Sequence, residues 1–183
     1  MNKNLKKIFA TLALGAMVFG AGVSPALAAE VGDSAYAVIT ANDSTEFSMS
    51  MMSLNGAFTV TNVADGKVTV NFPLKAFSYT RAGISGVGYM AEMTVDDVTY
   101  TATGFASSPK NGDTGSISVV FDEAEFDAAI EDINTLNAYL DAHVKASIKI
   151  ASIIPMNIGK DVHIYFSELP VAYVEGDNYV PAE

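Results

Sequence analysis

The sequence predicts an all-β protein, a sandwich of about seven to nine antiparallel strands with one or two short helices. Three observations carry that expectation. Short runs rich in Val, Thr, Phe and Tyr recur with turn signals between them, at the spacing of sandwiches and barrels. From Leu136 to Ile150 apolar and polar residues alternate without a break, as in a half-buried strand. Cysteine is absent, so a packed core and not disulfides must hold the chain.

The N-terminus is positive through Lys3, Lys6 and Lys7, with no acid nearby, and an apolar stretch follows from Ile8 to Val23. Pro25 ends that stretch, and Ala26-Leu27-Ala28 forms a small-x-small cleavage site. Charge, apolar stretch and cleavage site come in the order of a secretory signal, so residues 1–28 are expected to be a signal peptide. The stretch is short for a membrane anchor, and no other segment is apolar and long enough to span a bilayer. Export would leave the protein extracellular, on the cell surface or in a periplasm. The sandwich is expected over residues 29–168, with a weakly structured C-terminal tail over 169–183.

Within the domain, Ser34 to Thr40 alternates around Tyr36 and Val38, and Ala57 to Asn62 is a second β-rich run. Ala64-Asp65-Gly66-Lys67 is a hairpin turn signal, leading into alternation from Lys67 to Leu74 with Val68, Val70 and Phe72 on one face. Pro73 suits an edge or a bulge, beyond which Phe77 to Thr80 continues the strand. Gly86 to Val95 turns at Asp96-Asp97 into Val98 to Ala102. After the turn cluster Pro109 to Asp113 comes a strand from Ser116 to Phe121. Asp122 or Glu123 starts a short helix, with Phe126, Ala129, Ile130 and Ile133 at helical spacing. The last two strands are expected at Tyr139 to Ile150 and Asp161 to Ser167, with a loop at Asn157 to Lys160.

Charge and chemistry narrow the function. The chain carries 21 acids against 10 Lys+Arg, a net charge of -11, and loss of the three signal lysines would take it to -14. Such a surface repels nucleic acid, which is therefore not an expected partner. No catalytic Ser-His-acid spacing, phosphate loop or zinc pattern is present, so an enzyme is not expected. His143 falls on the surface parity of its strand, and Asp96-Asp97 and Asn111 with Asp113 read as turns rather than calcium ligands.

Methionine is the informative residue. Six of the eight lie beyond the signal, three of them in Met49-Ser50-Met51-Met52, with Met90, Met93 and Met156 elsewhere. A thioether is a soft donor for copper(I) or haem iron, and also flexible core filler. The Met49–Met52 cluster sits among serines ahead of a strand, where an apolar pocket lip is the sharper reading.

These elements come in a familiar order. Ser48-Met49-Ser50-Met51-Met52 precedes the Ala57–Asn62 strand, and Val95-Asp96-Asp97-Val98-Thr99-Tyr100 forms a middle hairpin. Ala142 to Ile150 then leads through Ile154-Pro155-Met156-Asn157 into Val162 to Phe166. From about Tyr36 to Phe166 the chain resembles the near-iron transporter (NEAT) domain, an immunoglobulin-like sandwich that binds haem on exported bacterial proteins. The family's short Ser-Met-like helix forms a lip over the haem, and its final hairpin holds the iron ligand. Anchored on Phe166, the positions of the family's Tyr-x-x-x-Tyr motif hold Met156 and Lys160. Some relatives use two methionines instead. The resemblance thus implies haem as cofactor, with Met52 and Met156 as metal ligands or Met51 in place of Met52. It assigns Lys160 and Arg81 to the propionates, while Tyr79, Phe77 and Phe58 suit either porphyrin stacking or the core. His163 reaches the iron only after a register slip. Haem-donor or haem-acceptor proteins would be the partners. Two other readings stay open: a methionine-rich copper(I) carrier using Met49, Met51 and Met52 with Met90, Met93 or a His, and a structural or adhesive sandwich with no small ligand.

Overall fold

A computed structural model describes residues 28–81, 83–150 and 154–181. The expected signal peptide, apart from Ala28, lies outside the described residues, as does the Arg81 side chain. In chain order the elements are β1 (Ser34–Ala41), a 3-10 helix (Met49–Ser53), β2 (Phe58–Ala64), β3 (Lys67–Lys75) and β4 (Phe77–Arg81). Then come β5 (Ile84–Val95), β6 (Val98–Thr101), β7 (Thr114–Asp122), α1 (Glu123–Glu131), β8 (Leu140–Ile150) and β9 (Ile154–Ser167). Among the described residues nine antiparallel strands form one curled sheet in the order β4-β5-β8-β9-β1-β2-β3-β7, with β6 on β5. The fold is all-β and sandwich-like, as expected.

The curl turns on β1. Its first two residues, Ser34 and Ala35, pair with β2, while Tyr36 to Ala41 pair with β9. One strand therefore belongs to both halves, and the two inner faces close over a shared core. At the α1 end that core is a cluster of phenylalanines, Phe58, Phe72, Phe121, Phe126 and Phe166, each essentially inaccessible to water. Helix α1 is capped by Asp122, whose carboxylate accepts the Ala124 N–H at 3.0 Å. Its Phe126, Ala129 and Ile130 face inward, as the helical spacing requires.

Turn chemistry shapes the hairpins. Asp65 and Gly66 both adopt positive φ (54° and 72°) between β2 and β3, the conformation a tight two-residue hairpin needs. Asp96 and Asp97 do the same between β5 and β6, confirming a turn there. Asp113 is likewise turn chemistry, its carboxylate accepting the Lys110 N–H at 2.8 Å.

Two expectations need correction, while Pro73 falls at a locally open edge as expected. Phe77 to Arg81 does not extend β3: the chain crosses at Ala76 to the other half of the sheet and pairs with β5. Pro73 sits inside β3 opposite Ser116, beyond the residues that pair with β2. Its carbonyl accepts from Asn55 on that side, so its missing N–H breaks no ladder. Asn157 to Lys160 is not a loop, because β9 pairs with β8 in unbroken register from Ile154↔Ile150 to Ile164↔Leu140.

The tail differs most from expectation. Tyr179 is buried, and Val171 and Tyr173 pack against the core. Residues 177–179 add to the sheet edge: Phe47 N–H donates to the Asp177 carbonyl at 3.0 Å and Tyr179 N–H to the Thr45 carbonyl at 2.8 Å. Backbone pairing with a distant segment leaves no local trace in a Pro-containing tail. Among the described residues no helix is long and apolar enough to cross a membrane.

Candidate functional site

The six residues Ser48 to Ser53 explain one another. Ser48 caps the 3-10 helix through its hydroxyl and the Ser50 N–H. A 3-10 helix repeats every three residues, so Met49 and Met52 stack on one face while Ser48, Met51 and Leu54 share another. Met51 points into the core, where its sulfur accepts the Ile39 N–H at 3.0 Å. That bond satisfies a β1 donor that the end of β2 leaves free. Ser53 is fully buried; its hydroxyl donates to the Lys75 carbonyl at 3.0 Å and accepts the Met90 N–H at 2.8 Å. The register shift between Met90 and Glu92 in β5 frees that N–H. The same bulge turns Met90 and Met93, three apart, both into the core.

Met49 and Met52 therefore face away from Met51 and are half-buried. Beneath them lies a groove of about 520 Å³, a common size for a small-molecule site. Its floor is Val144 and Ala146 of β8 with Ile158 and Lys160 of β9. Tyr79 closes one side from β4, while Phe47 and Tyr173 with Glu46 and Glu175 border the other. A second cleft of about 570 Å³ lies on the far side of Met52, lined by Leu54, Phe77, Lys75 and tail residues Pro170 to Tyr173. Met52, Ser78 and Tyr173 border both.

The structure brings Met52, Lys160 and Tyr79 of the expected site together on this groove. Met156 lies on the floor side of β9, opposite Ile148 and two residues beyond Ile158, and is half-buried. It extends the floor row toward the hairpin tip rather than lining the groove with Met52. Two expected residues are elsewhere. Met51 is turned inward by the three-residue period. Phe58 packs in the core against Phe166, Phe72 and Phe126 at 4.8, 5.6 and 6.1 Å, so it cannot stack on a ligand in this groove. Met90 and Met93 are sealed in the core and offer no open donor. Met49, a donor only in the copper(I) reading, joins Met52 on this groove, and 3-10 rather than α periodicity is the signal that selects it. Tyr173 and Glu175 carried no local signal.

The histidines occupy the opposite face of the same hairpin. His143 Nδ1 lies 2.7 Å from Asp161, its ring passing over Gly159, where a Cβ would come within 2.6 Å of Nε2. His163 Nε2 lies 3.3 Å from Asp141, with the ring stacked on Tyr139 at 3.8 Å. Since β9 is regular, no slip brings His163 to the groove.

No family model, curated protein or solved structure matches the chain.

Proposed function

We propose that this is an exported haem-binding module, holding the macrocycle in the groove between the 3-10 helix and the β8–β9 floor. The observation behind it is that one groove is lined both by apolar Val144, Ala146 and Ile158 and by two thioethers, Met49 and Met52. A flat apolar ligand would cover that floor, and soft sulfur suits its iron. When bound, haem supplies the iron and all the colour; the chain's own residues bind and orient it. In this reading Met52 would offer its sulfur to the iron, with Met49 beside it and Met156 farther along the floor row. Tyr79 offers a ring edge or face to the macrocycle, and Lys160 a cation to a propionate. Glu46 and Glu175 would disfavour carboxylates beside them, which leaves Lys160 as the residue to hold a propionate. A copper(I) carrier is less well supported, because Met90 and Met93 are withdrawn into the core.

The test is haemin titration of purified protein, followed in the visible spectrum. A shifted Soret band is expected, with Met52→Ala weakening binding tenfold or more, about 1.4 kcal/mol. Met51→Ala should lower stability and leave the band position unchanged. No Soret shift in the unaltered protein would sink the proposal.

A further inference from the structure

The 3-10 helix is too short to hold its own position. At its ends the Met51 N–H donates to the Ser48 carbonyl at 3.0 Å and the Leu54 N–H to the Met51 carbonyl at 3.1 Å. A single turn of this kind is marginal without outside support. On its C-terminal side Ser53 supplies support through Lys75 and Met90. On its N-terminal side the Ser48 N–H donates to the β1 carbonyl of Ile39 at 2.9 Å, and residues 45–47, which lie between β1 and the C-terminal segment, add a second support. Toward β1, Thr40 bridges Phe47 and the Ala41 N–H donates to the Glu46 carbonyl at 2.9 Å. Toward the C-terminus, Glu46 bridges Asn178, flanked by the Phe47–Asp177 and Tyr179–Thr45 backbone bonds. The Thr45 hydroxyl donates to the Asn178 amide oxygen at 3.1 Å.

The path of the C-terminal segment is also informative. After β9 it crosses the second cleft with Pro170 to Tyr173, and Tyr173 and Glu175 then border the groove. It turns back at Gly176, whose φ of 78° suits glycine, where the Asp177 N–H donates to the Val174 carbonyl. It is then pinned by Tyr179, 3% exposed, between Phe47 and Tyr165 at 6.2 and 6.1 Å.

We infer that residues 168–181 are a positioning strap: by pairing with residues 45–47 and crossing beside Met52, they fix the 3-10 helix over the groove and set its ligand affinity. The strap is anchored by buried Tyr179, by its backbone bonds to residues 45–47 and by Val171 and Tyr173 on the core, and it contributes no residue to the Phe cluster. Its effect on the helix stands on geometry alone; its effect on affinity rests on the haem reading.

Amide hydrogen exchange separates the two. Deletion of residues 168–183 should lower protection at 45–54 by roughly tenfold or more, while β3 and β7 keep theirs. Tyr179→Ala should do the same more weakly and serves if the truncated protein fails to fold. Tyr179→Phe, which keeps the ring, should leave protection unchanged. Haemin affinity should fall roughly tenfold in the two loosened forms and not in Tyr179→Phe. Unchanged protection at 45–54 in Tyr179→Ala overturns the strap whatever haemin does. Lost protection in a protein that never binds haemin supports the strap as the support of the helix and removes the haem reading instead.

Discussion

The molecule holds two aromatic clusters of opposite character. The inner one is all phenylalanine: Phe58, Phe72, Phe121, Phe126 and Phe166, with ring centroids 4.8 to 6.3 Å apart and no access to water. The outer one lies on the other side of the β1–β9 ladder and links Tyr139, His163, Tyr165, Tyr179, Phe47 and Tyr173 at 3.8 to 6.4 Å. The ring geometry is alike; the covering is not. Two sheet halves and a helix seal the inner cluster, whereas only the C-terminal strap seals the outer one. Apolar rings suit a permanent dry interior. Rings with polar tips suit a layer that stays wet at its margin and can detach.

The largest effect should come from the inner cluster. Phe126→Ala leaves a cavity between α1 and both sheet halves, and should cost about 3–5 kcal/mol in urea unfolding of the whole protein. Tyr139→Ala, at a ring already 41% exposed, should cost about 1 kcal/mol or less. Equal losses would mean that the outer cluster is as structural as the inner one, and the contrast would fail.

An intermediate effect follows from titration. Burial raises the Tyr165 hydroxyl above the ordinary tyrosine value, helped by neighbouring Tyr139 and Asp141. Burial raises Tyr179 too, with Ser167 tempering the shift. Among the described residues the Tyr179 hydroxyl has no partner of good hydrogen-bond geometry, so Ser167 is near it without a full bond. The folded state thus keeps protons that the unfolded state releases near pH 10. Stability from the outer layer is constant below that pH and falls as pH rises toward the raised values. The inner cluster has nothing to titrate. At about pH 10–11 the strap should therefore loosen before the core, seen as lost protection at 45–54 with β-sheet circular dichroism retained. The Tyr165→Phe, Tyr179→Phe double variant should shift that loosening to higher pH, and a whole-molecule transition at the same pH would refute the ordering.

Much of the inner half was legible because its signals are local. The β3 and β8 alternations, the Asp-Gly turn and the capped spacing of α1 each follow from residues within one turn or strand. The outer half was hidden because its determinants are tertiary. Pro155, Gly159 and Lys160 break the apolar rhythm of β9, yet pairing to β8 carries the strand through them. Asp177 to Tyr179 is held by a partner more than a hundred residues away. At the candidate site the sequence located the Met cluster. Its facing depended on whether the helix repeats every three residues, and on a bulge at Ala91 that no motif announces.

The smallest test sits at the rim of the inner cluster, on the helix that carries Phe126. Asp127 is partly buried there, and its carboxylate accepts the Ala29 N–H at 2.9 Å. Burial pushes its pKa up, the Ala29 bond pulls it down, and Glu131 and Asp33 push it up further, with a net rise. Folding thus favours the protonated form, so this group's contribution declines as pH climbs from the ordinary carboxylate value through the raised one. At neutral pH it is ionised at some expense to the fold. Asp127→Asn keeps an oxygen for Ala29 and removes the charge that faces Glu131 and Asp33. In protein that keeps residue 28, so that Ala29 presents a neutral amide and not a charged N-terminus, it should raise stability by about 0.5 kcal/mol at neutral pH, a Tm gain of about 1–2 °C. At about pH 2, well below the ordinary carboxylate value, where the carboxyl is protonated in either state, the gain should vanish. A loss at neutral pH would mean that the charged bond to Ala29 outweighs burial, and that even the rim of the inner cluster is held by electrostatics rather than by packing.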